Sequence, residues 1–299
     1  MADGHHPRLR LRTNLSDYPG TLALKQGRVF SPLVGLEFCG PVKARNGFKA
    51  MLNDGAFDAG ELALMTYLQA RAYGRPFVLL PMPMSGRFQH HCIGYNADRG
   101  EFSPKDIEGK SVGLRTYSQT TSVWTKGILQ HEYGVDLDAV TWLTMADAHL
   151  PEHRDPANCV RLEPTANLGD MLLSGEIPAA ILGSQLPKDP KIRPLIPDPA
   201  EAAKEWFAKT RVMPVNHMFV VTDALSRERP EVVRDIYRLL MESRAAAPAE
   251  AAGKLPPAGF EANRVAVELA IEWAFEQKVI PRRLAIDEVF DTTTRTLGS

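Results

Sequence analysis

Met51–Ala59 reads MLNDGAFDA, and Met171–Ala179 reads MLLSGEIPA. The two stretches align without a gap: Met-Leu, two residues, Gly, one residue, an apolar residue, one residue, Ala. Each pattern predicts a helix that ends at a glycine C-cap and feeds a short strand. Two copies of a helix–glycine–strand unit predict two α/β lobes of similar build.

The rest of the chain supports that reading. It has 299 residues, which favours two domains or lobes over one. Apolar residues make up 44% and charged residues 24%, enough for sizeable cores in an ordinary globular protein. The formal net charge is −1, with no basic run and no zinc-finger spacing, which argues against a nucleic-acid partner. No stretch approaches the roughly 18 apolar residues of a membrane span, so no membrane partner is expected. The first residues lack the apolar segment of a secretory signal, so a cytoplasmic location is expected. Cys39, Cys92 and Cys159 are scattered and odd in number, unlike a disulfide framework.

Elements alternate at α/β spacing. RLRLRT (Arg8–Thr13) and LVGLEF (Leu33–Phe38) read as strands, and GFKAMLN (Gly47–Asn53) as a helix. A short strand is expected near Phe57, a helix from about Glu61, and a buried strand over Phe77–Met82. In the second half, Ser111–Leu114 reads as a strand followed by a helix from Ser118 or Thr120. Val215–Leu225 reads as a strand, Ser226–Met241 as a helix, and Arg244–Gly259, rich in Ala and Pro, as a loop with a ragged helix end. Glu261–Gln277 reads as a long helix stopped before Pro281.

Several stretches together resemble the 4,5-dihydroxyphthalate decarboxylases: FDAGELALMTYL, PMPMSGRFQHH, DIEGKSVGLRTYSQTTSVWTKGIL and FEANRVAVELAIEWAFEQKVIPRRLAIDEVF, with DYPGTLALKQGRV at the start. The resemblance covers nearly the whole chain. It implies a type II periplasmic-binding-protein-like fold, with a ligand cleft between two lobes and a two-strand hinge. Residues 1–96 and 222–299 would form lobe 1 and residues 97–221 lobe 2. It also implies a non-oxidative carboxy-lyase whose partner is a small aromatic carboxylate, and hinge closure around that ligand. The family's Ser-Arg-x-Phe-Arg-His run aligns with Ser85-Gly86-Arg87-Phe88-Gln89-His90, so both family arginines are replaced, and the family's Ser-Glu becomes Gly60-Glu61. Ser85, Phe88, His90 and Glu61 carry over; the reaction class follows them, while the exact substrate does not. Alternatives on the same fold are a solute-binding protein for a small anion, and a different lyase or dehydratase. A homo-oligomer is also an open alternative.

Decarboxylating an electron-rich arene requires a proton at the carbon that bears the carboxylate, and electron density pushed from a ring hydroxyl. Histidine suits both tasks, since its unperturbed pKa is near ~6.5. His90 is the first candidate acid or ligand contact, against a histidine simply hydrogen-bonded at a hinge. His91 points to the opposite side of an extended chain. His217 is expected to meet His90 across the cleft, or to pair with a carbonyl in a core. Glu61 is read as opening a helix, either as a dipole-stabilised carboxylate or as a base. Arg87 and Arg115 are candidate anion clamps, with bidentate pairing to a carboxylate in view. Ser118, Thr120 and Thr121 start a helix whose free N–H groups attract anions, or serve as plain caps. Ser85, Tyr117 and Gln185 complete the substrate-binding candidates. A divalent metal on Glu61, His90 and His217 is chemically reasonable, although no local spacing demands it.

Overall fold

The structure is a computed structural model describing residues 8–298. It divides into two compact units. Unit 1 comprises the chain up to Gly86, Val215–Glu268 and Leu284 onward; unit 2 comprises Arg87–Pro214 and Leu269–Arg283. The division therefore falls at Gly86 and Pro214 rather than at residues 96 and 221. Strand pairing sets it: Val215 is already in register with Gly86 in unit 1.

The strands are β1 (Leu9–Asn14), β2 (Val34–Phe38), β3 (Ala59–Ala63), β4 (Phe77–Gly86), β5 (Ile93–Asn96), β6 (Ser111–Leu114), β7 (Thr141–Thr144), β8 (Cys159–Arg161), β9 (Ala179–Ile181), β10 (Ile192–Pro194) and β11 (Val215–Thr222). Unit 1 holds a five-stranded sheet in the order β2-β1-β3-β11-β4, and unit 2 a six-stranded sheet in the order β10-β5-β9-β6-β7-β8. In each sheet a central parallel set meets antiparallel strands on one side.

The two sheets repeat one plan. Gly55 and Gly175 both take left-handed backbone (φ +60° and +75°), where glycine avoids the Cβ penalty. Ala59 opens β3 and Ala179 opens β9, and both are fully buried. Ala59 pairs with Thr13 of β1 in parallel and with Val221 of β11 in antiparallel. Ala179 pairs with Val112 of β6 in parallel and with Tyr95 of β5 in antiparallel. The order β2-β1-β3-β11-β4 thus corresponds to β7-β6-β9-β5-β10, with β8 added at one edge.

Packing follows the sequence patterns. Leu9 and Leu11 of β1 face the core while Arg10 and Arg12 stay exposed, as period-two alternation requires. Val232, Val233, Ile236, Leu239 and Leu240 form the buried stripe of helix Pro230–Ala245 and join Leu11, Val34, Leu80 and Phe219 in the unit 1 core. Leu168, Leu172, Ile177 and Ala180 form a cluster in unit 2.

Three expectations needed correcting. The strand expected near Phe57 lies at Ala59–Ala63, and its helix begins at Leu64. Glu61 is therefore mid-strand, because pairing to β1 and β11 overrides the helical pattern. The strand expected to reach Leu225 stops at Thr222, whose side chain caps the helix Asp223–Glu228. A second helix starts at Pro230, where a missing N–H is harmless. The Ala/Pro-rich loop contains the short helix Ala249–Ala252.

All three cysteines are free, and among the described residues no helix is long and apolar enough to cross a membrane.

Candidate functional site

Unit 1 gathers a polar cluster around the middle of β3 and the segment that follows the carboxyl end of β1. Glu61 sits opposite Phe219 of β11, and His217 sits opposite both Ala63 of β3 and Ser85 of β4. Side chains of directly opposed and diagonal residues share a sheet face, so Glu61, His217 and Ser85 project together.

Glu61 is only 1% exposed, and buried charge is costly unless bonded. Its Oε1 accepts from the Ser16 hydroxyl, the Tyr18 hydroxyl and His217 Nδ1, each at 3.0 Å. Its Oε2 takes a longer contact from the Ser16 N–H at 3.4 Å. A carboxylate can only accept, so His217 carries its proton on Nδ1 and turns Nε2 away from Glu61. The His217 side chain remains 23% exposed, and its ring meets the edge of Phe48 at a centroid distance of 5.6 Å. Burial, then the charge of Glu61, pushes the Tyr18 phenol far above its ordinary range, so Tyr18 stays a donor. Its hydroxyl also bonds Ser85 and lies 3.5 Å from His217 Nδ1.

Gly60 precedes Glu61 for a steric reason. A Cβ there would lie 2.3 Å from the Asn14 carbonyl oxygen. The Gly60-Glu61 departure thus fits a close approach of β1 to β3.

Unit 2 holds the remaining candidates. His90 is 1% exposed and opens a short 3-10 turn, His90–Cys92, rather than ending a strand. Its ring lies 5.8 Å from Trp206 and 6.5 Å from Phe88, and its Nδ1 has no hydrogen-bond partner. Burial lowers its proton affinity to about 4, so it is neutral at pH 7. His91 is exposed, and desolvation followed by the Arg87 charge lowers it too. Arg87 is half-buried with an unpartnered Nε, and its guanidinium packs against Gly183. The same guanidinium bonds the Cys92 thiol, which burial pushes up to about 11.

Ser118, Thr120 and Thr121 are buried at the start of helix Thr120–Tyr133, while Arg115 and Gln185 are exposed. Tyr117 is buried, and the Lys126 side-chain nitrogen lies 2.9 Å from the centre of its ring. It is a core contact rather than an exposed lining residue.

Sequence reasoning brought out Glu61 and His217 but overlooked Ser16 and Tyr18. The signal available was Tyr18 in the family-like opening DYPGTLALKQGRV, a polar stretch directly after β1. Among the described residues no group of three or more His, Cys, Asp or Glu is disposed to hold a metal ion. Of the expected set, Glu61 and His217 belong to unit 1 and His90 to unit 2. The structure pairs only Glu61 with His217, at 3.0 Å.

The two sheets and their strand orders define a type II periplasmic-binding-protein-like fold. It is similar to the periplasmic aliphatic sulphonate binding protein SsuA from Escherichia coli (TM-score 0.61, 13% identity, 95% of this chain and 92% of that one). It is also similar to the desulfurization enzyme DSZB (TM-score 0.54, 13% identity, 95% and 98%).

In sequence the chain is similar to two proteins named 4,5-dihydroxyphthalate decarboxylase. It is 29% identical over 207 residues to the protein of that name from Comamonas testosteroni, covering 64% of this chain and 62% of the relative. It is 30% identical over 164 residues to that from Pseudomonas putida, covering 50% and 63%. The matches thus span somewhat under two thirds of the relatives' lengths. No family profile matches the chain.

Proposed function

We propose that the chain is a non-oxidative decarboxylase of a hydroxylated aromatic carboxylic acid, and that His217 moves the proton. The observation that carries this reading is the bond from His217 Nδ1 to the buried Glu61 carboxylate, beside Ser16 and Tyr18 just past the carboxyl end of β1, where open α/β sheets bind ligands. Glu61 already receives four contacts, so it orients His217 rather than acting as a free base. His217 Nε2 takes the proton of a ring hydroxyl, which pushes electron density into the ring. The ring carbon bearing the carboxylate then takes a proton from water, the C–CO2 bond breaks, the bonding pair returns to the ring as carbon dioxide leaves, and His217 returns its proton to the ring oxygen. The relatives' names support a decarboxylase, and Ser85, beside His217, is the nearest candidate contact for a ring hydroxyl. Arg87, His91, Arg115, Ser118, Thr120, Thr121 and Gln185 stand as proposed substrate contacts. The absence of arginine at Gly86 and Gln89 favours a substrate with fewer carboxylates than 4,5-dihydroxyphthalate.

A solute-binding protein is the second reading, favoured by the likeness of the fold to SsuA. It requires anchoring groups but no acid–base pair. Carbon dioxide release from a panel of hydroxylated aromatic mono- and dicarboxylates separates the two. The decarboxylase reading expects turnover that falls at least ~100-fold in Glu61→Gln, the usual scale for disabling acid–base catalysis. Tight binding of a panel member without release of carbon dioxide would instead favour the binding protein.

A further inference from the structure

Glu61 Oε1 is contested. Three donors, Ser16 Oγ, Tyr18 OH and His217 Nδ1, approach it at 3.0 Å, while a carboxylate oxygen offers about two lone-pair directions. Oε2 has only the 3.4 Å contact with the Ser16 N–H. The donors therefore compete, and the strength of the His217–Glu61 bond depends on how firmly the two hydroxyls hold the same oxygen. Ser16 is itself fixed, since its Oγ accepts from the Ala44 N–H at 2.9 Å. Tyr18 is anchored at its backbone, where its N–H donates to Thr21 Oγ1 at 2.9 Å. The Tyr18 hydroxyl has further partners in reach: Ser85, and His217 Nδ1 at 3.5 Å.

We infer that Tyr18 is a positioning residue for the Glu61–His217 pair: by donating to Glu61 Oε1 it limits the grip of the carboxylate on His217 Nδ1–H and fixes the direction in which Nε2 is presented. The inference rests on the proposed role of His217 for its effect on turnover, but not for its effect on the hydrogen bond itself. Groups facing the pair come from four elements. Glu61 lies on β3, Ser85 on β4, Ser16 and Tyr18 on the segment after β1, and Phe48 on helix Phe48–Asn53. Phe48 and Ser85 are uncharged, so among these groups the charge beside His217 is that of Glu61, shared with its other donors.

The test is the proton resonance of His217 Nδ1–H in 15N-histidine-labelled full-length protein, assigned by its loss in His217→Gln. In Tyr18→Phe one competitor for Oε1 is gone, so this resonance moves downfield. Ser16→Ala, which removes a different competitor, moves it the same way and serves if Tyr18→Phe folds poorly. On a turned-over substrate, Tyr18→Phe lowers kcat about tenfold with KM within about twofold, the pattern of a misplaced catalytic group. A downfield shift together with a wild type that turns over no panel member would uphold the positioning role and sink the decarboxylase reading. A resonance unmoved in both variants would overturn the inference, because a tyrosine that merely packs would lower stability and leave the bond unchanged.

Discussion

Glu61 of β3 and Ile181 of β9 occupy the same place in two copies of one strand. Each lies two residues after the alanine that opens it. Glu61 faces Phe219 of β11, and Ile181 faces Ile93 of β5. A histidine stands two residues before each facing residue: His217 in unit 1 and His91 in unit 2. In unit 1 that histidine bonds a buried carboxylate at 3.0 Å; in unit 2 the corresponding strand position is apolar, and the nearby charge is the Arg87 guanidinium. The backbone plan repeats while the chemistry at the strand ends diverges. Sheet topology sets where a site can form, and one side chain decides whether it can move a proton.

The sharpest way to break this comparison is to exchange the side chains. Ile181→Glu places a carboxylate in a buried position without the Ser16 and Tyr18 donors that Glu61 enjoys. We expect urea unfolding to show a loss of about 3–5 kcal/mol. The reverse change, Glu61→Leu, leaves the hydroxyls and imidazole without their acceptor and should cost about 1–3 kcal/mol. Equal costs would mean that the two strand ends are not differentiated as described.

The next effect concerns His90. Burial lowers its proton affinity in the folded state, so the unfolded chain binds the proton more readily in acid. The stability it contributes is complete above the unfolded value of ~6.5 and is lost as pH falls toward about 4. The loss across that window approaches ~3 kcal/mol in wild type. Denaturation curves at pH 7, 5.5 and 4.5 should show a shallower decline in His90→Gln; parallel declines would contradict the sealed, neutral histidine.

The smallest effect compares how the two units treat a buried charged group. Glu61 has four polar contacts, whereas Lys126, fully buried, has one carbonyl, that of Tyr117 at 3.2 Å, and the faces of the Tyr117 and Trp142 rings. Burial drives the Lys126 amine well below its ordinary proton affinity, so at neutral pH the unfolded state holds the proton more strongly. Lys126→Met should therefore stabilise the fold by about 1–2 kcal/mol at pH 7, with the gain shrinking as pH rises toward ~10.5. A destabilised variant would show that the amine contributes more than its contacts imply.

Much of this was legible in the sequence. The repeated Met-Leu…Gly…Ala pattern gives the two sheets, because a glycine helix end and a buried strand start impose few competing readings. Glu61 and His217 were both marked as candidates. Their pairing was not, because it depends on β11, a strand from a distant part of the chain, inserting beside β3. The same insertion explains why Glu61 looked like a helix start: local periodicity contains no information about a partner more than 150 residues away. His90, foremost on sequence grounds, lies among Phe88 and Trp206, and the Trp206 partner is also far from it in sequence. Tyr18 went unremarked since a single tyrosine after a strand has no pattern of its own.

The most direct test of the central claim compares two histidines under saturating substrate. Carbon dioxide release by His217→Asn and His90→Asn should be measured against wild type, with folding verified by circular dichroism. The account predicts that His217→Asn loses at least ~100-fold in kcat and that His90→Asn loses less than ~10-fold. The opposite ranking would place the proton-transfer chemistry with His90 and contradict the role given to the Glu61–His217 pair.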